Sequence, residues 1–161
     1  MKSTNDVAAL TSPAEGWLPL LEVAVREVFE IMLGVHLEVP TEPASANADF
    51  TAMVGLAGQL CGVLTLRCSA QSAVTIASKM LGVELKQGDE QMWDAIGEVA
   101  NMIGGNFKNK LTGMSDRCML SVPTVITGAD YTFHSLADSG PLQVRFLFEG
   151  MPIAVDLEIH T

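Results

Sequence analysis

Residues 94–106 read DAIGEVANMIGGN, and the reading of that run decides the fold. Its apolar residues fall at helical spacing, yet three glycines and Asn101 interrupt them. Each glycine in a helix interior costs about 1 kcal/mol relative to alanine, so a helix that keeps three of them needs a low surface somewhere. At about 100° per residue, Met92, Ile96, Val99, Ile103 and Phe107 form one inward face. Asp94, Glu98, Asn101, Gly105 and Lys108 form a stripe near the opposite side. The helix is predicted from about Glu90 to Leu111. Asp89, Glu90 and Asp94 lie at its start, and Lys108 and Lys110 at its end, as the helix dipole favours.

Working outward, SPAE (Ser12–Glu15) has the form of a capping box with Pro13 at the first helical position. Pro19 then interrupts, so the first long helix is predicted from about Leu18 to Leu33, with Leu18, Leu21, Val25, Val28 and Met32 inward and Gly34 as its stop. VHLEVP (Val35–Pro40) alternates as a short strand. TAMVGL and LCGVLTLRC read as two strands joined tightly at Ala57-Gly58-Gln59. Ser69 caps a second helix through Leu81, with Ala73, Ile76, Ala77 and Met80 inward. After the 90–111 helix, CMLSVPTVIT is a strand broken by Pro123. LQVRFLF and IAVDLEI follow, joined at Glu149-Gly150. Residues 1–11 are expected to be a flexible segment and 12–161 a single domain.

The element order repeats: helix and three strands, then helix and three strands. EVFEIMLG (Glu27–Gly34) lies over EVANMIGG (Glu98–Gly105), with Glu27 on Glu98, Glu30 on Asn101 and Gly34 on Gly105. The expected fold is therefore α/β in the α+β sense: duplicated, pseudo-twofold helix-strand-strand-strand units, a largely antiparallel sheet, and long helices packed on it.

Composition narrows the function. The chain has 161 residues, 48% of them hydrophobic and only 17% charged, with a net charge of −10. That suits a folded protein with a working surface and tilts toward an oligomer. It argues against a phosphate-backbone or anionic-membrane binder, which needs a basic patch. The opening residues lack the basic start and apolar core of a signal peptide, and the longest uncharged run, Phe50–Leu66, is broken by glycines. Cys61, Cys68 and Cys118 have no metal-site spacing and read as reduced thiols, and His36, His134 and His160 are scattered, so no metal is expected on this chain.

Glu98 and Asn101, three apart, are neighbours on the helix surface. They lack the serine and histidine of a self-contained hydrolase. A carboxamide is no base at neutral pH, but it holds a water by donating and accepting hydrogen bonds. Orienting a water is useful when another molecule supplies the electrophile and its metal. Gly104 and Gly105 leave the helix bare beyond Asn101, as a surface approached closely by a partner would be.

Asp94, Glu98, Asn101 and, about twenty residues on, Pro123 resemble the motif of the CheC/CheX/FliY chemotaxis phosphatases, and the resemblance runs from about Ala14 to the C-terminus. It implies a cytoplasmic enzyme that dephosphorylates the phosphoaspartate of a CheY-like response regulator by inserting this helix. The regulator would bring the Mg²⁺ and a lysine, and this chain would bind no cofactor of its own. Asn101 would position the attacking water, Glu98 would pair with that lysine, and Asp94, Gly105 and Lys108 would touch the partner. Pro123 would set the strand beside the helix. Glu30 at the aligned asparagine position implies one active site rather than two, closest to the homodimeric CheX type. The alternatives are a non-catalytic receiver-binding adaptor and a structural component of the chemosensory or flagellar apparatus.

Overall fold

The computed structural model describes residues 13–42, 49–111, 118–128, 130, 131 and 140–160. The first eleven residues, Ser12 and His134 lie outside them. Three helices, α1 (Pro13–Leu33), α2 (Ala70–Leu81) and α3 (Gln91–Lys110), accompany six strands: β1 (Phe50–Gly58), β2 (Cys61–Cys68), β3 (Cys118–Leu120), β4 (Thr124–Thr127), β5 (Leu142–Phe148) and β6 (Met151–His160).

The predicted inward face of α3 is buried throughout: Met92, Ile96, Val99, Ile103 and Phe107 are all at most 1% exposed. α3 contacts both α1 and α2 and lies over β1 and β2. Asp89 accepts from the Gln91 N–H at its start, and Lys108 and Lys110 occupy its last turn. α2 begins as read: Ser69 Oγ accepts from the Ser72 N–H at 3.1 Å, and Gly82 closes the helix in the left-handed region.

α1 departs from expectation at both ends of its stripe. The helix starts at Pro13 and passes through Pro19. Pro19 cannot donate the bond that would close its turn, a cost of about 3 kcal/mol. Trp17, buried edge-on against Phe107 with ring centroids 6.4 Å apart, holds the turn before it in place. Burial of so large a ring offsets the lost bond. The inward face is Trp17, Leu21, Ala24, Val25, Val28 and Phe29, whereas Met32 is half exposed.

All strand pairs are antiparallel, in the order β3–β1–β2–β6–β5, with β4 also on β1. The segment 35–40 is not a regular strand. Its sole ladder contact among the described residues is a bridge between Glu38 and Leu147 on the outer edge of β5. The sheet thus reads alike from either edge. β2 and β6 meet at the centre, β1 and β5 flank them, and each flank is closed by a segment from the other half of the chain. The expected duplication is there, with its outermost strands exchanged. The β5–β6 turn is Glu149-Gly150, both at positive φ (48° and 81°), as a two-residue hairpin requires.

Candidate active site

α3 carries the candidate residues as a ridge on its outer side. Asp94 and Glu98 are exposed and Asn101 is half-buried. The first two lie beside a hollow of about 480 Å³, bounded also by Met80 and Leu81 at the end of α2. Asn101 opens onto a second, shallow depression of about 480 Å³ on its other flank, floored by residues 119–123.

That floor is a β-bulge. β3 pairs Leu56 with Leu120, and β4 pairs Met53 with Thr124. Two residues of β1 therefore face three of the partner strand, Ser121, Val122 and Pro123. Ser121 fills the gap in the ladder. Its N–H donates to Gly55 O at 2.9 Å, and its hydroxyl accepts from the Gly55 N–H at 2.7 Å. Pro123, which has no N–H to offer, falls in the stretch where no ladder bond is needed. The bulge turns Val122 outward, to 86% exposure, beside Met119 at 75%.

The glycines of α3 receive a different account here from the one the sequence suggested. A Cβ on Gly97 would stand 3.2 Å from Pro123 Cβ and 3.4 Å from Val125 Cγ2. A Cβ on Gly104 would meet Leu120 and Val54, and one on Gly105 would meet Leu120 at 3.6 Å. Gly104 is buried, not bare, and Gly105 is half covered. The helix is slim first of all because the chain's own edge strands lie against it. Pro123 sits beside α3 as expected, and Gly97 is what admits it.

Lys108 is likewise engaged within the chain, its Nζ donating to Cys118 O at 2.7 Å. The β3–β4 segment is therefore fixed to α3 at three levels: Pro123 on Gly97, Leu120 on Gly104 and Gly105, and Cys118 on Lys108. Asn101 lies among these anchors. Its own amide and the Glu98 carboxylate form no hydrogen bond or ion pair among the described residues.

The aligned residues of α1 are bound up. Glu27 Oε2 accepts from Lys110 Nζ at 2.9 Å and Asn106 Nδ2 at 2.8 Å, and Asn106 also donates to Ala24 O. The Lys110 bond, then that of Asn106, holds the Glu27 carboxyl below its ordinary pKa. Glu30 pairs with His36 at 2.9 Å. Among the described residues no three of His, Cys, Asp and Glu converge as metal ligands, and no helix is long and apolar enough to cross a membrane.

A family model described as chemotaxis phosphatase CheX matches residues 50–147, β1 through nearly all of β5 with α3 between them. The chain belongs to the CheX family. A curated relative, the CheY-P phosphatase CheX of Thermotoga maritima, is 31% identical over 101 residues, 62% of this chain. The chain spans 61% of that relative's length. Solved CheX structures agree in fold. That from Desulfovibrio desulfuricans has a TM-score of 0.73 at 24% identity, covering 88% of this chain and 97% of the other. A CheX–CheY–BeF3–Mg²⁺ complex from Borrelia burgdorferi has a TM-score of 0.71 at 23% identity, covering 90% of this chain and 98% of that one. The family and fold implied by the motif residues are thus borne out. Of the bulge and the clamp on Glu27, sequence reasoning in this CheX chain reached the first only as an alternative reading of Pro123 and passed over the second. The apolar residue before the strand-breaking proline, Val122, was the available signal for the first. The second joins residues about eighty positions apart and left none.

Proposed function

We propose that this chain hydrolyses the phosphoaspartate of a CheY-like response regulator, with α3 inserted at the regulator's phosphorylation site. The observation that carries the reading is the Glu98–Asn101 pair, which makes no hydrogen bond or ion pair among the described residues, on a firmly anchored helix in a member of the CheX family. The relative from Thermotoga maritima is named for this activity, and a CheX from Borrelia burgdorferi is seen with CheY.

Asn101 holds a water in line with the phosphorus, its carboxamide oxygen accepting from that water. The water oxygen bonds to phosphorus as the bond to the aspartyl oxygen breaks, and the products are the free carboxylate and inorganic phosphate. The phosphoryl group and Mg²⁺ come from the regulator. Glu98 pairs with the regulator's lysine and fixes the approach, and Asp94 contacts the regulator beside it. Gly105 stays low at the margin of the contact. Lys108 acts through the strand it anchors. The site is single, because Glu30 at the aligned position cannot donate. The low charged content of 17% and the CheX type support a homodimer working in the cytoplasm, where response regulators are found.

The test is phosphate release from receiver domains charged with acetyl phosphate, with and without this protein. Asn101→Ala lowers kcat at least about 100-fold, a loss of positioning, while affinity for the BeF3-activated receiver stays within about threefold. A variant that keeps half its activity refutes the assignment.

A further inference from the structure

The depression beside Asn101 has an apolar wall that the water-positioning chemistry does not use. Val122 and Met119 are large hydrophobic side chains at 86% and 75% exposure, and both border the same hollow as Asn101. Single exposed hydrophobics need no explanation. These two are placed by construction: an extra residue in the strand turns Val122 outward, Ser121 replaces the ladder bond that the extra residue interrupts, and three anchors fix the segment to α3 around Asn101. A side chain held at fixed geometry to a reacting centre suits recognition, because little rotational or loop freedom is lost when a partner lands on it.

We infer that Val122 and Met119 form a second, apolar docking point for the phosphorylated receiver, and that this point helps decide which receiver the chain accepts. The inference rests on the phosphatase reading. The occupant is the receiver and not a second copy of this chain, because the hollow is continuous with Asn101. A copy seated on Val122 would cover the amide that a phosphatase must leave open. The receiver then meets two unlike patches across the α3 ridge. Asp94 and Glu98 on one flank face a cation, and Val122 with Met119 on the other face an apolar rim of the phosphorylation site. Such a division separates affinity from chemistry. The apolar point contributes equally to the bound ground state and the transition state, so it acts on KM and leaves kcat alone.

The experiment is steady-state phosphate release with the receiver, from a panel charged with acetyl phosphate, that this protein dephosphorylates fastest. Val122→Asp sets a charge against the apolar rim. KM rises at least about tenfold, and kcat at saturating receiver stays within about twofold. Val122→Ile keeps the contact and restores KM. The KM defect of Val122→Asp persists at 0.5 M NaCl, where a purely charge-steered contact would be screened. Because Val122 projects from the surface, the melting temperature of the variant is that of the wild type. An unchanged KM overturns the inference while Asn101→Ala still shows the phosphatase reading to be sound. A KM unchanged together with a dimer-to-monomer shift in sedimentation assigns the patch to a second copy and also overturns it. If no receiver in the panel is dephosphorylated, both readings fall.

Discussion

On α1, Glu27 accepts from Lys110 and Asn106 of α3, and Glu30 is paired with His36. On α3, the aligned Glu98 and Asn101 have no hydrogen-bond partner among the described residues. The difference follows from helix length. The alignment that sets Glu27 on Glu98 also sets Val35 on Asn106 and Val39 on Lys110. α3 continues through Lys110, so its last turns carry an amide and an ammonium back to Glu27. α1 stops at Leu33, with Gly34 at φ 67°, and the corresponding positions hold two valines beyond the helix. The clamp therefore forms in one direction only. One copy of the polar pair became internal adhesive, and the other was left open to a partner.

The strongest way to break the comparison is to exchange the two sites' chemistry. Asn101→Ala removes about 100-fold or more of turnover. Glu30→Ala leaves turnover within about twofold of wild type, and adding it to Asn101→Ala removes nothing further. Glu30→Asn in the Asn101→Ala background restores under about 1% of activity, because Glu27, the partner such a site would need, is already bonded to Lys110 and Asn106. Residual turnover that disappears on adding Glu30→Ala would make α1 a working site.

Charge reversal gives the next effect. Glu98→Lys sets like charge against the receiver's lysine, so kcat/KM falls at least about tenfold, and the defect shrinks as salt rises. Glu27→Lys, by contrast, changes stability and not receiver affinity, since Glu27 is already committed to α3. Equal binding of wild type and Glu98→Lys to BeF3-activated receiver would remove Glu98 from the contact.

The glycines of α3 sharpen the comparison at the level of packing. A side chain at position 97 must displace Pro123, at 3.2 Å. Gly97→Val therefore overpacks that joint and destabilises the protein by about 1–3 kcal/mol, read as a drop in melting temperature. At position 105 an alanine meets only Leu120, at ordinary distance. Gly105→Ala raises the melting temperature, as a helix propensity gain of about 1 kcal/mol predicts. Its turnover decides whether a receiver also needs that position bare: a higher KM says that it does.

These contrasts mark what was legible in the sequence. α3 could be read nearly to the residue, because five apolar side chains at period 3.6 leave one phase for the helix, and the Glu98–Asn101 ridge follows from that phase. Pro19 misled, because its cost is met by Trp17 packing on Phe107, a contact between residues far apart in sequence. VHLEVP alternates as a strand should, yet among the described residues only Glu38 makes a ladder bridge, to the other half's β5. The glycines showed that something comes close to α3, but sequence does not say whether the neighbour is the chain's own strand or another protein. The neighbour found is Pro123 and Leu120.

The smallest expected effect concerns the clamp itself. Lys110 and Asn106 hold the Glu27 carboxyl below its ordinary value of 4.5. A carboxyl whose pKa is lower folded than unfolded stabilises the fold above the unfolded value, and that contribution disappears as pH falls through the folded one. Glu27→Gln keeps an oxygen to accept from one donor and removes the charge. At pH 7 the variant melts slightly below wild type, by at most about 3 °C, since the pair is partly exposed and screened. The gap is flat from neutral pH down to about pH 5, then closes as the wild-type carboxylate takes up its proton. At 0.5 M NaCl it is narrower at every pH. Turnover at pH 7 is that of wild type, because neither Glu27 nor its partners Lys110 and Asn106 belong to the Asp94–Glu98–Asn101 stripe proposed to meet the receiver. A gap that widens on acidification would mean that Glu27 is held as the neutral acid, and the one-directional clamp between the two halves would have to be abandoned.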